Sequence, residues 1–475
     1  MLILLHDPSM SKTFRAFCPD QQFLLPPSVR DWLPDGHLAL FIADVVDALD
    51  LSAIFAVYER GDRRGMPPYH PTMMVRLLLY SYCVGKPSSR KIERATYDEV
   101  PYRVLSANQH PDHDTISAFR KRHLKALAAL FIQVLEMAKQ LKLVKLGHVA
   151  LDGTKVKANA SKHKAMSYQR MTTTEERLQA EVQALLDAAE QADAAEDAEH
   201  GKGNRGDELP AELKRRTDRI KKIGEAKAAL EARAKELAAA KAVEVQRKLT
   251  ERAAKELETG KKTRGPTPKV PDPEQAKPEP KAQRNFTDPE SRIMIDGATK
   301  GFDQCYNAQA AVDAESQIIV AADITQQTND KQQLVPMMQK VVENMGRLPT
   351  NTSADAGYFS EAAVTHPDLA ETDLYVPPNR QKHGQPLANP PADGDHSSVA
   401  DDMRRKLATP AGKDIYKMRK AIVEPVFGQV KEARGFRRFS FRGLENVTDE
   451  WMLVCTTHNL LKIFRSGGIS QLCGA

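Results

Sequence analysis

Apolar residues recur at helical spacing through the first third of the chain, after an irregular start that contains several prolines. Leu38 begins this pattern, and Pro71 stands where a first helical turn accepts proline. Asp114 or Thr115 is expected to cap a long last helix that runs to about Leu143. We predict an all-α domain whose short basic helices suit a helix-turn-helix that contacts DNA. A plain helical bundle with a basic surface is the alternative.

A strand-like pattern follows the helices. Val149 and Leu151 alternate with Ala150 and Asp152, which predicts a buried strand with one acid at its centre. A carboxylate within an apolar strand is costly unless it is paired or binds a metal ion. An ordinary Asp-Gly turn at the end of the strand is the alternative interpretation.

Alternation with a period of two resumes in the second half of the chain. Residues 305–312 and 317–324 are β-rich runs joined by Asp-Ala-Glu-Ser, which predicts a hairpin. A helix is expected from Asp330 to Met345, and a short strand then ends at Asp355. Strands that alternate with helices predict an α/β domain.

The stretch at 169–259 differs from both parts because it is rich in Ala, Glu, Lys, Arg and Leu. Thr173 and Glu176 are expected to form a capping box, and an interrupted heptad seam predicts a helical hairpin or weak coiled coil. Residues 260–285 are rich in Pro and Lys, so we expect a flexible or extended linker there. The helical segment therefore reads as an insertion into the α/β domain.

One acid lies in a strongly basic stretch near the end of the chain. Glu424 precedes Pro425, which is expected in the first turn of a helix that ends at Gly435. The polar and basic side chains around this acid are Tyr416, Arg419, Lys420, Lys431, Arg434, Arg437, Arg438 and Arg442. A carboxylate at the mouth of a basic groove favours a metal ligand beside a phosphate track. The alternative is a surface helix with ordinary ion pairs.

Length and composition limit the class of protein. A chain of 475 residues exceeds the usual size of one core, and its net charge of +6 comes from clustered basic residues. Five scattered cysteines without a Cys-x-x-Cys pair exclude a disulfide framework and a zinc finger. His110 and His113 lack a second ligand pair, so loop or capping roles are expected. Without a long apolar run, we expect a cytoplasmic protein with no membrane partner.

Asp152, Asp355 and Glu424 each stand alone on a separate element and are candidates to converge at one end of the sheet. Such carboxylates bind pairs of divalent cations, which support in-line displacement at phosphorus without a protein nucleophile. Nearby lysines and arginines would hold DNA phosphates. Asp323 is a rival to Asp152, and His458 is a second candidate for which a structural role is the alternative.

Four motifs, taken in order, resemble the DDE transposases of bacterial insertion sequences. They are LDGTKVKANAS around Asp152, KGFDQCYNAQAAVD, SADAGYFSE around Asp355, and VEPVFGQVKEARGFRRFSFRG with THNLLKI around and after Glu424. The resemblance covers about 38–130 and 147–464, and the helical stretch is similar to an insertion of one subgroup. It implies that the three acids are the catalytic metal ligands.

The resemblance also implies the fold, the partners and the reaction. It implies an α/β RNase H-like catalytic domain with a mixed five-stranded sheet and flanking helices. Two Mg²⁺ ions, with Mn²⁺ as an alternative, would serve cleavage at terminal inverted repeats and strand transfer into target DNA. The partners are double-stranded DNA and a second copy of the chain in a synaptic complex, associated with the nucleoid during action.

A family signature places Tyr, Arg, Glu and Lys at fixed spacings. Tyr416, Glu424 and Lys431 are compatible with it, but four residues separate Arg419 from Glu424 where relatives have three. Lys420 has the expected spacing, so either residue is a candidate for the arginine position.

The predicted domain boundaries follow from these patterns. They are an irregular arm at 1–37, a helical DNA-binding domain at 38–145, a catalytic domain at 146–168 and 286–465, a helical insertion at 169–259, a linker at 260–285 and a tail at 466–475. Further predicted DNA contacts are Arg120, Lys121, Lys155 and Lys157.

Three other functions remain open from the sequence. A catalytically inactive descendant would only bind DNA, and a metal-dependent nuclease would cleave without strand transfer. A structural protein built on the coiled coil is the third.

Overall fold

The computed structural model of the protein describes residues 28–59, 67–200, 211–260, 262, 265–295, 301–379 and 398–467. Most of the predicted N-terminal arm and C-terminal tail lies outside these residues.

Seven α-helices form the N-terminal part. They are α1 (Leu38–Ala48), α2 (Ser52–Glu59), α3 (Pro71–Cys83), α4 (Ser89–Asp98), α5 (Val100–Leu105), α6 (His113–Arg122) and α7 (Leu124–Gln140). Pro71 occupies the first turn of α3, as predicted. The predicted cap and length of the last helix are wrong. Asp112 caps α6 by accepting a hydrogen bond from the Thr115 N–H at 2.8 Å, and the helix breaks at His123.

The second part of the chain alternates strands and helices. Its first elements are β1 (His148–Lys157), β2 (Ala165–Ser167), α8 (Tyr168–His200), α9 (Ala211–Thr259), β3 (Gln283–Asn285), β4 (Arg292–Ile295), β5 (Phe302–Asp313) and β6 (Ile319–Thr325). Its later elements are α10 (Leu334–Met345), β7 (Asn351–Ala354), α11 (Glu361–Val364), β8 (Asp373–Tyr375), α12 (Val399–Ala408), α13 (Pro410–Gly428) and α14 (Leu444–Arg465).

The main sheet is mixed, as the resemblance implied, but it contains six strands in the described residues where five were expected, because the short strand β4 is added beside β5. The long strand β5 runs antiparallel to β1 on one side, and β4 and β6 share its other side. Strands β1, β7 and β8 are parallel to one another. In this register Leu151 lies opposite Ala354, so the next residues, Asp152 and Asp355, lie side by side on neighbouring strands.

The inserted segment is a pair of long helices, as predicted, but its details differ. Thr173 lies inside α8 and donates a hydrogen bond to the Gln169 carbonyl, so the predicted capping box is wrong. The two helices pack through a small apolar cluster near their base that includes Leu178 and Ile223. Tyr168, the first residue of α8, contacts Glu231, so α9 extends beyond α8 from there on, and Leu237 in that extension is 62% exposed.

The predicted linker is more ordered than its composition suggested. Strand β3 pairs with β2 as a separate two-stranded sheet, which fixes both ends of the insertion beside each other. A 3-10 turn at Pro273–Gln275 lies against α9, where Lys235 and Glu274 form an ion pair at 2.6 Å. Pro-rich composition indicated an extended backbone but not that this backbone folds back onto the helix.

Helix α13 contains a proline in its interior. Pro425 was predicted in a first helical turn, but it lies near the end of α13, and the helix continues into a π-helical segment at Gln429–Ala433. Proline cannot donate the hydrogen bond that the carbonyl four residues earlier requires. The side-chain amide of Gln317 donates to that Ala421 carbonyl at 2.9 Å instead. Gly435 follows the π-helix with φ +68°, which confirms the predicted helix end.

The last helix joins the N-terminal helices to the sheet. Trp451 of α14 is fully buried and donates a hydrogen bond from Nε1 to the Gln309 carbonyl of β5 at 3.0 Å. On the opposite side, the buried carboxylate of Glu450 accepts a hydrogen bond from the Tyr82 hydroxyl of α3 at 3.3 Å. A single core therefore runs through both parts.

The structure also bears on the expectations about the cysteines and about membrane-spanning segments. Cys83, Cys305 and Cys455 are buried free thiols, as expected for scattered cysteines. Among the described helices, none is both long and apolar enough to cross a membrane.

Candidate active site

Two acids lie side by side at the centre of the sheet. Asp152 follows Leu151 on β1, and Asp355 follows Ala354 at the end of the parallel strand β7. The backbone N–H groups of Gly153 and Gly357 each donate a hydrogen bond of 2.8 Å, to Asp152 and Asp355 respectively. Two neighbouring parallel strands therefore bring together two carboxylates that are far apart in the chain, as the sequence patterns predicted.

An arginine links this pair to the third acid. Arg419 of α13 donates from Nη1 to the Asp152 carboxylate at 3.3 Å, and its Nη2 lies 4.0 Å from Glu424 Oε1. The Arg419 side chain is only 8% exposed, whereas that of Glu424 is 56% exposed. Lys420 points to solvent, so Arg419 is the cation that faces the acids despite its unusual spacing. Tyr416 lies on the same helix, with its ring 5.9 Å from the Arg419 guanidinium.

Burial makes the Asp152 carboxylate an unusually strong proton acceptor. Burial first, and then the charges of Asp355 and Asp330, raise its pKa to about 6 against the opposing effect of Arg419. Burial also lowers the pKa of Lys155, whose ammonium faces the same group of acids. The site thus concentrates negative charge in a poorly hydrated place, where a cation is strongly favoured.

A fourth acid, Asp330, was missed as a site residue. Its Oδ1 accepts hydrogen bonds from the side-chain amides of Asn307 at 2.6 Å and Gln309 at 2.7 Å. Lys155 Nζ lies 3.9 Å from the same oxygen. In the sequence, Asp330 reads as an ordinary acid before a helix, and the alternation of Asn307 and Gln309 along β5 was the one available signal.

Gly153 lets this hydrogen-bonded group approach β1. A Cβ at that position would lie 2.9 Å from Asp330 Oδ1 and 3.0 Å from Asn307 Oδ1, closer than side-chain carbons approach such atoms. The Asp-Gly pair is therefore part of the site, and the interpretation of these residues as a simple strand-ending turn is wrong, because β1 continues to Lys157.

The predicted DNA-contacting residues separate into exposed and buried groups. Lys121, Lys420, Arg437, Arg438 and Arg442 are exposed. Lys431 reaches back to the sheet and donates to the Lys155 carbonyl at 2.6 Å, and Lys157 pairs with Asp303 at 2.8 Å. Within the exposed group, Arg437 pairs with Glu432 and Arg442 donates to the Asn159 carbonyl at 2.9 Å, while the side chains of Lys121, Lys420 and Arg438 are presented to solvent.

Two of these predictions are corrected by burial. Arg434 is buried against α14 and donates to Thr457 Oγ1 at 2.9 Å. Arg120 is buried too, and it donates to the Pro87 carbonyl at 2.6 Å. Both arginines join parts of the fold, so neither is presented to DNA in this structure.

The rival candidates lie elsewhere. Asp323 pairs with Lys340 of α10 at 3.0 Å. His458 is fully buried beside the Gln317 carbonyl, and burial lowers its pKa to about 3, which identifies a structural histidine. His110 lies in a loop, as expected, and contacts Thr96, whereas His113 begins α6 and contacts Glu93 of α4, so it does not cap the helix.

The donor chemistry of the acid pair suits Mg²⁺. Among the described residues, no group of three Asp, Glu, His or Cys side chains is close enough to hold a metal ion. Mg²⁺ takes only one or two carboxylates and keeps several waters, so Asp152 and Asp355 alone provide a suitable hard-oxygen pair. Arg419 stands between this pair and Glu424.

Comparison with known families agrees with the geometry. Residues 27–122 match the model of a transposase domain, DUF772, and residues 380–464 match that of a transposase DDE domain. The chain carries the domains of a transposase. The resemblance to insertion-sequence DDE transposases that the motifs indicated is thereby confirmed. No curated protein and no solved structure matches the chain.

The two matches cover different parts of the transposase. The first spans the N-terminal helices, and the second includes Glu424 and Lys431. Asp152, Asp355 and the helical insertion lie outside both matches. The assignment of the two aspartates to a common site therefore depends on the sheet register and on their shared electrostatics.

Proposed function

We propose that this transposase cleaves DNA at the ends of an insertion sequence and joins the 3′-hydroxyl ends to target DNA. The observation that carries the proposal is the approach of Asp152 and Asp355 on neighbouring parallel strands, with Arg419 joining them to Glu424. Two acids from distant segments lie side by side on the mixed sheet, and an arginine connects Asp152 to Glu424 in a chain with a transposase DDE domain.

We also propose that the sheet domain is RNase H-like. The support is the order β6-β5-β1-β7-β8, in which β5 is antiparallel to both neighbours and the remaining pairs are parallel. A helix follows β6, and α13 and α14 complete the layers around the sheet. Under this proposal the insertion enters after the first strand.

Asp152, Asp355 and Glu424 would hold two Mg²⁺ ions. Bound in this way, the metal would polarise the scissile phosphate and lower the pKa of its nucleophile. The chain's own contribution is to hold the two aspartates in fixed orientations through the Gly153 and Gly357 N–H groups. Arg419 would then contact the DNA phosphate that approaches the site, since guanidinium groups bind phosphate oxygens well.

The exposed cations beyond Glu424 would guide the DNA. The segment after the π-helix carries Arg437, Arg438 and Arg442. Arg438 forms an isolated parallel β-bridge with Lys157 at the end of β1. Contacts of this kind supply affinity without sequence selection. Recognition of the terminal repeats is assigned to the N-terminal helices, with Lys121 on the exposed surface of α6. Two copies would hold the two ends of one element.

The test is cleavage of a labelled duplex that carries the element's terminal repeat. Wild-type protein should release 3′ ends with Mg²⁺ but not with EDTA, and Glu424→Gln should bind the duplex and fail to cleave it. Asp323→Asn is the matched control, because this acid lies on the same sheet but pairs with Lys340. Normal cleavage by Glu424→Gln would refute the site, and cleavage without joined products would reduce the function to that of a nuclease.

A further inference from the structure

An open groove separates the helical insertion from the sheet domain. Its walls are α9, the returning segment at 271–283, and the loop at 326–332 that follows β6, and its volume is about 1060 Å³. The insertion thus forms one side of a surface whose other side belongs to the catalytic domain.

The groove is strongly positive. The cations that line it are Arg233, Lys241, Lys277, Lys281, Arg292 and Lys331. Glu279 is its one acidic lining residue in the described part of the chain. The remaining polar lining comes from amide and hydroxyl side chains such as Gln326, Gln327 and Thr328. Side chains of these types donate hydrogen bonds to phosphate oxygens.

Acids of the protein compensate these positive charges only in part, through Glu279 in the groove lining and Glu290, whose charge acts on Arg292. Within the described residues, none of the six cations forms an ion pair with a carboxylate. By contrast, Lys235 and Lys248, which lie on α9, pair with Glu274 and Glu244 respectively. Burial, followed by the neighbouring charges of Arg233 and Arg284, lowers the pKa of Arg292 to about 10. Cations gathered at one surface without acids repel each other unless an anion joins them.

The groove and the acid site share one loop. This loop carries Lys331, which lines the groove, and Asp330, whose carboxylate lies 3.9 Å from Lys155 Nζ of the site. A polyanion that leaves the acids along this loop would next meet Lys331 and the returning segment. Both ends of the insertion are fixed beside the sheet by the β2–β3 pair, so the wall formed by α9 is held in place.

We propose that this groove binds the phosphate backbone of double-stranded DNA next to the scissile position. The inference rests on the proposed function, because the duplex that occupies the groove is the one that reaches the acids. It gives the helical insertion a defined task, which is to add a second basic wall along the DNA path. The contacts involve the backbone, so they do not select sequence.

The experiment measures binding of a fluorescent duplex of arbitrary sequence to the full chain at several salt concentrations. The variant Lys277→Gln/Lys281→Gln removes two exposed groove cations. Lys221→Gln/Lys222→Gln is the matched control, since both lysines are exposed on α9 outside the groove lining. Each lost phosphate contact should reduce the slope of log affinity against log salt by about 0.9.

We expect weaker binding and a reduced salt slope for the groove variant, and wild-type behaviour for the control. Equal effects of both variants, or none from the groove variant, would overturn the groove as a DNA path. Wild-type protein that binds no duplex would refute the proposed function itself, and the groove inference with it. If both variants unfold at the same temperature as the wild-type protein, any loss of binding comes from the removed charges.

Discussion

Replacing Asp152 with Asn tests the electrostatics of the site without depending on activity. Burial raises the pKa of Asp152 from 3.8 to about 6, so its ionised form is less stable in the folded chain than in the unfolded chain. A difference of this size corresponds to about 3 kcal/mol at 1.36 kcal/mol per pKa unit. Asn has the same shape and no charge, so Asp152→Asn should stabilise the metal-free protein by up to about 3 kcal/mol at neutral pH.

The sign of the effect depends on pH. Below the unfolded pKa, Asp152 is protonated in both states and its burial costs nothing extra. As pH rises towards the folded pKa of about 6, the unfolded carboxylate ionises first and wild-type stability falls relative to the variant. The difference between the two proteins should therefore be full above about pH 6 and absent below about pH 4.

Urea unfolding in EDTA at both pH values measures this difference directly. Glu424→Gln is the control, since the Glu424 side chain is 56% exposed and its neutralisation should change stability little. Adding Mg²⁺ should then stabilise wild type, by about 2.7 kcal/mol at a concentration one hundred times the dissociation constant. Asp152→Asn should lose most of this gain, because one of the two adjacent ligands is neutral.

A less stable Asp152→Asn protein in EDTA at neutral pH would refute the reasoning. That result would mean that the bond to Arg419 at 3.3 Å contributes more than the burial of the carboxylate costs. Equal stabilisation of both proteins by Mg²⁺ would show that the ion binds elsewhere.

Four further predictions follow from named contacts. At Mg²⁺ concentrations below saturation, cleavage should decline as pH falls below about 6, because protons compete with the ion for Asp152, whose pKa without metal is about 6; pH–rate profiles at low and high Mg²⁺ check this. Asp355→Asn should abolish cleavage while a filter-binding assay finds unchanged DNA affinity; a variant that still cuts at the normal rate would remove Asp355 from the site. Arg434→Met should leave DNA affinity unchanged in the same assay. It should change the free energy of unfolding by no more than about 2 kcal/mol, because the loss of two buried hydrogen bonds is offset by the removal of a buried charge that has no acidic partner among the described residues. Gly153→Ala should cost about 1–3 kcal/mol in urea unfolding and slow cleavage, because the added Cβ crowds Asp330; a fully active, stable variant would contradict that contact.

The sheet and its two aspartates were predictable because the signals are local. Period-two alternation around Leu151 identifies a strand, and an acid within such a strand is costly enough to indicate a special role. The hairpin of β5 and β6 and the short strand before Asp355 depend on equally local patterns. Their approach follows from the parallel register of β1 and β7, in which Leu151 lies opposite Ala354.

Errors arose where distant contacts decide. Pro425 was placed in a first helical turn because proline removes a backbone donor, but Gln317 replaces that donor from another segment. Arg120 and Arg434 were counted as DNA contacts because basic clusters in a sequence do not reveal burial. No local pattern reports such partners.

The same limitation concealed the groove and Asp330. The cations of the groove come from α9, the returning segment, β4 and a loop after β6, and no local pattern shows that these separate stretches face one another. Asp330 gains its importance from Asn307 and Gln309, whose amides hold it beside β1.

The path of the chain gives the insertion a direct connection to the chemistry. β1 carries Asp152 at its centre and Lys155 near its end, and the chain then enters the insertion through β2. It returns through β3 and β4, and β4 pairs with the start of β5, the strand that supplies Asn307 and Gln309. The insertion is therefore tied through the chain to β1, which carries Asp152, and to β5, whose amides hold Asp330. Under the proposed DNA path, this connection lets a helical hairpin inserted after the first strand line the DNA without contributing a catalytic residue.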